Sequence, residues 1–504
     1  TADQEERGWY DTDSTAGLDI GDERWAYIPQ SLLPHLQWLT RGNYTHVDYV
    51  DLKPKLADAR IFADNAGNPM DGDHPHGWGT VLIGGMGMGG GTIEVADDFG
   101  SGGELRVFRS AYFALDVTVP DHPRLLWEFT HPALGFTTGY PCVVRVEEQD
   151  ESFQPEDDRW FVIFGSGPTD YQGNSTQPSR LFVVNLKTGE LVRVIGGEGP
   201  PGFMASPVSV DANLDFNTDT VYAGEAFMMG EVWQGSMRRL SMKTCTGAGC
   251  NSSDPWPYSA NPAAWNLSTL CSTALPVTAA PAVSLDDDEN LWVFFGTGRY
   301  FDFLDRADTM TANIFLGIKD PCYRGDCSGE VPFSQLYDSS PVIVYRDGTV
   351  SGTAIATFND LEHAIEGRPG WYLNLSPGGE RVLSKPGILG GALSFIGYTP
   401  DPDPCGIQDM STLYTLYYRT GTAWIKAIVL PSSDDPVRSG GGQRDPKEEM
   451  KKKMTVSMSP FESPIMHRGQ TGTLVLPSSG TALEILPLVP PLQVKSGMES
   501  WREE

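Results

Sequence analysis

The run Trp160-Phe161-Val162-Ile163-Phe164-Gly165-Ser166-Gly167 is apolar over its first five positions and closes on Gly-x-Gly. A half-exposed strand would alternate polar and apolar residues. A short unbroken apolar run between turn residues marks a strand buried on both faces. The signature occurs earlier as Thr80-Val81-Leu82-Ile83-Gly84-Gly85 and later as Leu291-Trp292-Val293-Phe294-Phe295-Gly296-Thr297-Gly298. Between and around these copies stand further β-branched and aromatic runs, at 111–117, 125–129, 181–186, 191–195, 205–210, 221–224, 280–283, 314–318, 371–375 and 413–417. They group into units of roughly 50 to 80 residues with about four strands each, the period and strand count of propeller blades. The expected fold is therefore all-β, a β-propeller of about five to seven four-stranded blades. Two β-sandwiches in tandem remain the alternative, because spacing alone does not close a ring.

Helical patterns are scarce. Pro29 to Thr40 places Leu32, Leu33, Leu36, Trp38 and Leu39 at near-helical spacing, and a shorter candidate runs from Asp360 to Ile365. Residues 1–430 read as the propeller and 431–453, rich in Pro, Ser, Gly and charge, as a linker or long loop. Residues 454–504 read as a C-terminal β-hairpin extension turning at Ser478-Ser479-Gly480 and packed on the propeller.

A length of 504 residues suggests about three domains at ~150 residues each, but all-β rings are known exceptions. With 40 % hydrophobic residues and 13 Trp, the chain has ample material for a large core, which excludes disorder over most of its length. The net charge of −30 repels phosphate backbones and anionic lipid, so nucleic acid is not an expected partner. No stretch approaches the ~20 apolar residues of a membrane span. Thr1 to Glu6 has neither the basic start nor the apolar core of a signal peptide, and the expectation is of a processed chain or a fragment.

Cys245 with Cys250 and Cys322 with Cys327 share a Cys-x4-Cys spacing in turn-rich segments, which suits disulfides in an oxidising compartment; a four-thiolate zinc site and reduced thiols are the alternatives. Of the seven cysteines one must stay unpaired. Cys142 is the choice, since Cys-Val-Val-Arg-Val reads as a buried strand.

The sharpest chemical motif is Asp211-Ala212-Asn213-Leu214-Asp215-Phe216-Asn217-Thr218-Asp219. Oxygen side chains at alternate positions of a tight loop curl around one centre, which suits the six to eight oxygen ligands of Ca²⁺. Asp211, Asn213 and Asp215 match the first, third and fifth positions of an EF-hand loop. Asn217 would offer its carbonyl and Asp219 a ninth-position oxygen. Phe216 replaces the usual Gly, Tyr222 replaces the twelfth-position Glu, and Glu225 is the nearest acid downstream. An Asx-rich solvated turn is the bland alternative. Other acidic pairs, Asp11/Asp13, Asp71/Asp73 and Asp286 to Asp288, read as solvated turns, as does His74-Pro75-His76 beside them. Gly85-Met86-Gly87-Met88-Gly89-Gly90 spells a dinucleotide fingerprint, but Thr92-Ile93-Glu94-Val95 follows where a helix N-terminus is required, so it reads as a flexible blade loop. Arg324-Gly325-Asp326 lies between Cys322 and Cys327, a three-residue match of the kind that arises by chance.

In order along the chain stand Glu23 to Gln30, Trp78 to Gly85, Phe113 to Thr118, Leu126 to Phe129, Val162 to Gly165, Ala205 to Val208, Val221 to Gly224 and Phe295 to Tyr300. This series resembles the C-terminal propeller of the PilY/PilC family of type IV pilus biogenesis factors and tip-associated adhesins, over roughly residues 20 to 430. The resemblance implies a non-enzymatic, secreted protein at the pilus tip or outer cell surface. It implies minor pilins and tip proteins as partners, with a host or abiotic surface as adhesion target and roles in assembly, adhesion and control of retraction. It also implies a Ca²⁺ loop of Asp-x-Asn-x-Asp-x-x-x-Asp form, which carries over to Asp211, Asn213, Asp215, Asn217 and Asp219. The von Willebrand A-like region usual in the family is not visible in this sequence. Two rival functions remain: a calcium-using quinoprotein dehydrogenase, whose repeats resemble Leu186 to Glu190 but which lacks a vicinal Cys-Cys here, and an outer-membrane assembly scaffold.

Overall fold

The computed structural model describes residues 23–492, apart from 64–68, 70, 98–102, 148–158, 244–257, 325–328, 377, 404–408, 430–444, 457–462, 469–471 and 478–482. Strand Arg159–Gly165 shows why the apolar runs are unbroken. Val162 and Phe164 face one core with Val81, Ile83, Tyr112 and Trp127, while Phe161 and Ile163 face the next with Val221, Leu240 and Trp265. Successive side chains point to opposite faces, so a strand between two packed sheets is apolar at every position.

The sheets follow one another along the chain. The first has Lys55–Arg60, Trp78–Gly85, Tyr112–Asp116 and Arg124–Phe129, with the hairpin Ile93–Asp97 and Glu104–Phe108 inserted. The second has Cys142–Val146, Arg159–Gly165, Pro178–Asn185 and the first part of the long strand Leu191–Met204. That strand's end crosses into the third sheet, where it pairs with Thr220–Met229, followed by Val232–Ser241 and Asn266–Thr273. The fourth has Ala282–Leu285, Leu291–Gly296, Ile314–Lys319 and Gly370–Asn374, with Tyr337–Asp338 added in parallel. Gly387–Leu389, Ala392–Thr399, Met410–Tyr417 and Lys453–Val456 form the fifth. A smaller sheet of Ile465–Arg468, Gly472–Pro477 and Leu483–Pro487 follows.

Each sheet shares a core with the next, through to Leu486 of the last sheet and the adjacent Leu488, packed with Ile396 and Leu413 of the fifth. Tandem sandwiches would pair sheets off into separate cores; a continuous series is the stacking of an all-β propeller. The glycines that close the buried strands have a packing reason: a Cβ on Gly165 would lie 2.4 Å from Met204 Cβ at the end of strand Leu191–Met204.

Several sequence expectations are corrected. The first helix forms over Gln30–Thr40 as a 3-10 helix, and Pro34 inside it removes a backbone donor. The second helix forms as α1, Phe358–Glu366, capped by the Thr357 side chain on the Asp360 amide. The span read as a linker divides. Residues 430–444 lie outside the described residues, but Met450 is buried, its amide donates to the Val344 carbonyl, and Lys453 already begins the fifth sheet's last strand. The glycine-rich loop after Gly85 is packed, with Met86 fully buried and Gly89 placed where a Cβ would meet the Tyr49 carbonyl at 2.0 Å. Cys142 is free and buried in its strand, and Cys271 is too. The Ser478 to Gly480 turn and the final residues Trp501 to Glu504 fall outside the described residues. Among those described, no helix is long and apolar enough to cross a membrane.

Candidate metal loop

Strand Val208–Val210 pairs antiparallel with Thr220–Met229, Val210 opposite Thr220, so residues 211–219 connect two paired strands. The Asp219 amide closes the loop on the Val210 carbonyl at 2.8 Å. Leu214 and Phe216 adopt left-handed backbone, with φ of 60° and 69°. The chain therefore curls so that polar side chains turn inward while Leu214 and Phe216 remain 61 % and 68 % exposed. A side chain in that conformation costs roughly 1–2 kcal/mol, which is why glycine is usual there; Phe216 makes the same turn under strain.

Asp211, Asn213 and Asp215 converge. The Asp215 amide donates to Asp211 Oδ1 at 3.2 Å and to Asn213 Oδ1 at 3.4 Å, and the Phe216 amide donates to Asp211 Oδ2 at 2.8 Å. Asn213 Nδ2 donates to Asp215 Oδ2 at 3.0 Å, and the Asn217 amide to Asp215 Oδ1 at 2.8 Å. Burial, reinforced by the Asp215 charge, pushes the Asp211 carboxyl above its ordinary value. Asn217 stands apart: its side-chain oxygen accepts from the Glu147 amide at 2.8 Å, leaving its carbonyl for the loop.

Asp219 is nearly sealed from solvent. Its Oδ2 accepts from the Ala212 amide at 2.7 Å, and its Oδ1 lies 3.3 Å from Lys243 Nζ, itself fully buried. Burial outweighs their mutual attraction, pushing Asp219 up to about 6 and Lys243 down to about 8. Lys243 also donates to the Tyr323 carbonyl. The sequence reading missed it, although a signal existed. The pairing of Thr220 with Ser241 in the hairpin around Gly230 carries the residues just after 241 back to Asp219, and the Met242 amide donates to the Asp219 carbonyl.

All donors here are hard oxygens, the ligand chemistry of Ca²⁺. Among the described residues no three His, Cys, Asp or Glu side chains cluster so as to hold an ion by themselves, so Asn213 and backbone carbonyls are needed to complete a shell. The twelfth position contributes nothing, since the Tyr222 hydroxyl donates to Asp320. Glu225 is committed to Ser179, Ser236 and Arg238.

Of the competing candidates, Asp71, Asp73, Asp287 and Asp288 are exposed turn residues as expected, whereas His74 and Asp286 are buried and serve structure. His74 is buried, stacked on Phe62 at 3.8 Å, with Nδ1 2.6 Å from Asp71 and Nε2 3.1 Å from Asp116. Asp71 and Asp73 are both held by Arg124. Asp286 is buried and accepts from Trp292 Nε1 at 2.8 Å. Arg324 pairs with Glu289, and Gly325 and Asp326 lie outside the described residues, as do Asp11 and Asp13.

Comparison with known proteins adds relatives to this geometry. The type IV pilus biogenesis factor PilY1 of Pseudomonas aeruginosa strain UCBPP-PA14 is 28 % identical over 459 residues, covering 80 % of this chain and 34 % of the relative. A PilY1 homolog of Xylella fastidiosa is 27 % identical over 461 residues, covering 85 % and 26 %. The chain thus spans about a third or less of the length of these curated relatives. The crystal structure of the Pseudomonas aeruginosa PilY1 C-terminal domain superposes with a TM-score of 0.62 at 22 % identity, covering 95 % of this chain and 90 % of that one, a likeness of fold. The PilY1 beta-propeller domain profile matches residues 49–336, more than half of the sequence, and the chain belongs to that family.

Proposed function

We propose that this chain is the calcium-binding, non-enzymatic propeller of a type IV pilus tip or biogenesis protein, acting outside the cell in pilus assembly, surface adhesion and control of retraction. The observation that carries the reading is the loop in which Asp211 and Asn213 oxygens share the Asp215 amide and the Asp215 carboxylate is bonded to Asn213, within a domain whose relatives are named type IV pilus biogenesis factors. Asp211, Asn213, Asp215 and Asp219 side chains and the Asn217 carbonyl would hold the ion. Ca²⁺ would supply a fixed double charge that binds the folded loop alone and so stabilises it by mass action. The chain's own contribution is rigidity: sheets buried on both faces hold the ends of the loop, and the left-handed turns at Leu214 and Phe216 aim its oxygens.

Minor pilins and other tip proteins fit as partners, docking on the rigid loop faces of the stacked sheets, and a host or abiotic surface fits as the adhesion target. Disulfides closing the Cys322–Cys327 and Cys245–Cys250 loops would suit an extracellular location, and Cys322 is a disulfide-bonded cysteine. The test is a calorimetric calcium titration of the purified chain beside an Asp211→Ala/Asp219→Ala double variant, then retraction assays of cells carrying each in the full-length protein. Binding lost in the variant together with altered retraction is the expected result. Wild-type binding that survives in the variant would move the ion elsewhere, and no wild-type binding would remove the calcium switch.

A further inference from the structure

Asp211, Asp215 and Asp219 bring three negative charges into one loop, one more than a divalent ion neutralises. The remaining charge has a partner in the fold. Lys243 Nζ lies 3.3 Å from Asp219 Oδ1, with side-chain exposures of 0 % and 2 %. Among the described residues, the arginines near the loop each have an acidic partner. Arg145, which donates to the Phe216 carbonyl at 3.2 Å, pairs with Glu147. Arg239 pairs with Asp320, and Arg238 with Glu225. Counted over these four side chains alone, three carboxylates and one ammonium leave two negative charges, the complement of a divalent cation.

Resting on the calcium reading above, we infer that Lys243 is a built-in counter-ion that sets the charge selectivity of the loop, matching it to divalent ions and holding its affinity down. Affinity in oxygen-ligand loops follows the count of ligand charges, and an ammonium beside one ligand subtracts from that count. Lys243 is fixed from a second side by the Tyr323 carbonyl, in the turn after strand Ile314–Lys319 of the neighbouring sheet, and its Nζ stands 6.0 Å from the centre of the Tyr323 ring. Held between two sheets, the ammonium stays beside Asp219 when an ion arrives, so its repulsion is a permanent part of the site. Before an ion arrives it keeps Asp219 paired and the loop folded.

The experiment titrates wild type, Lys243→Met and Lys243→Arg with Ca²⁺ and with La³⁺ by calorimetry, alongside thermal unfolding in chelator and in each ion. Methionine keeps the length and burial of the side chain without its charge. Lys243→Met is expected to bind Ca²⁺ roughly tenfold more tightly and to gain more for La³⁺, so its preference for the trivalent ion rises by several-fold or more. Lys243→Arg, with the charge retained, is expected to keep both affinities within about threefold of wild type. A purely structural lysine would lower the unfolding temperature equally with and without ions and leave the La³⁺/Ca²⁺ ratio unmoved; that result overturns the inference. Should Lys243→Met not fold in chelator, Lys243→Arg carries the test: a shifted ion ratio despite the retained charge overturns it. Failure of wild type to bind calcium instead defeats the calcium reading itself, so the two failures are distinguishable.

Discussion

Two acid-rich connections in this molecule look alike as text and differ in physical kind. Residues 211–219 join Val208–Val210 to Thr220–Met229, and residues 286–290 join Ala282–Leu285 to Leu291–Gly296. Both bend through a non-glycine residue in left-handed backbone, Leu214 and Phe216 in one and Glu289 in the other. In the second turn a single carboxylate gathers several donors. Asp286 Oδ1 accepts from the amides of Asp288 and Asn290 and from Asn290 Nδ2, and Oδ2 accepts from Asn290 Nδ2 and Trp292 Nε1. In the first the donors are spread over several acceptors: the Asp215 amide is shared between Asp211 Oδ1 and Asn213 Oδ1, the Phe216 amide goes to Asp211 Oδ2, and the Asp215 oxygens take the Asn217 amide and Asn213 Nδ2. A saturated carboxylate is a staple, whereas a surplus of oxygens invites a cation. Counting donors against acceptors separates them where counting acids does not.

The sharpest way to break that distinction is to remove one carboxylate from each. Asp286→Ala leaves the indole of Trp292, itself almost wholly buried, and the Asn290 amide without their acceptor. It is expected to cost about 3 kcal/mol of unfolding free energy in denaturant titrations, equally in calcium and in chelator. Asp211→Ala is expected to cost only about 1 kcal/mol in chelator, since its loop amides can turn to water. In a calcium titration its affinity should fall roughly a hundredfold or more, exceeding the usual loss from an outer-shell partner. Equal calcium dependence of the two variants would erase the distinction.

The same contrast shows what was legible beforehand. Strands 160–165 and 291–296 declare burial on both faces through their own composition, so the fold class could be read locally. The loop at 211 was legible as well, because alternation of oxygen side chains is itself the signal. The role of Asp286 was not, since the donor that buries it arrives from Trp292 on the next strand. His74 was hidden for the same reason, its second carboxylate, Asp116, lying in a different strand. Lys243 depends on strand register. The strand Lys453–Val456 was obscured by Lys451, Lys452 and Lys453, read as a solvated charge run. It lies at the edge of its sheet, where lysines are usual. There Lys452 Nζ donates to the Ser340 carbonyl and Lys453 Nζ to that of Ser376, so the ammonium groups act as arms that dock the strand.

A smaller effect separates the loops by pH. Burial raises Asp219 to about 6 in the folded chain, above an unfolded value near 3.8. Between those values the folded state holds more protons than the unfolded one, so stability in chelator is expected to fall as pH rises through that window, by roughly 1–3 kcal/mol. Calcium takes the ionised carboxylate and opposes this fall, so the curves with and without the ion should separate most at the upper end. Asp219→Asn should flatten the chelator curve. A wild-type curve in chelator that rises across the window would show that the Lys243 pair, not burial, governs Asp219.

The smallest effect concerns what the two turns share. Phe216 and Glu289 each hold a side chain where glycine would sit without strain, and Phe216 is 68 % exposed, so little packing is lost on truncation. Relief of left-handed strain, roughly 1–2 kcal/mol, is partly offset by the extra freedom glycine gives the unfolded chain. Phe216→Gly and Glu289→Gly are therefore each expected to stabilise by about 0.5 kcal/mol in denaturant titrations. Only Phe216→Gly should also change calcium affinity, because only that turn aims oxygens at an ion. If its backbone strain pre-shapes the loop, affinity falls as stability rises; if the strain is incidental, both rise together. A change in calcium binding from Glu289→Gly would mean that the two connections are not independent, and the line drawn between staple and metal loop would have to be redrawn around both.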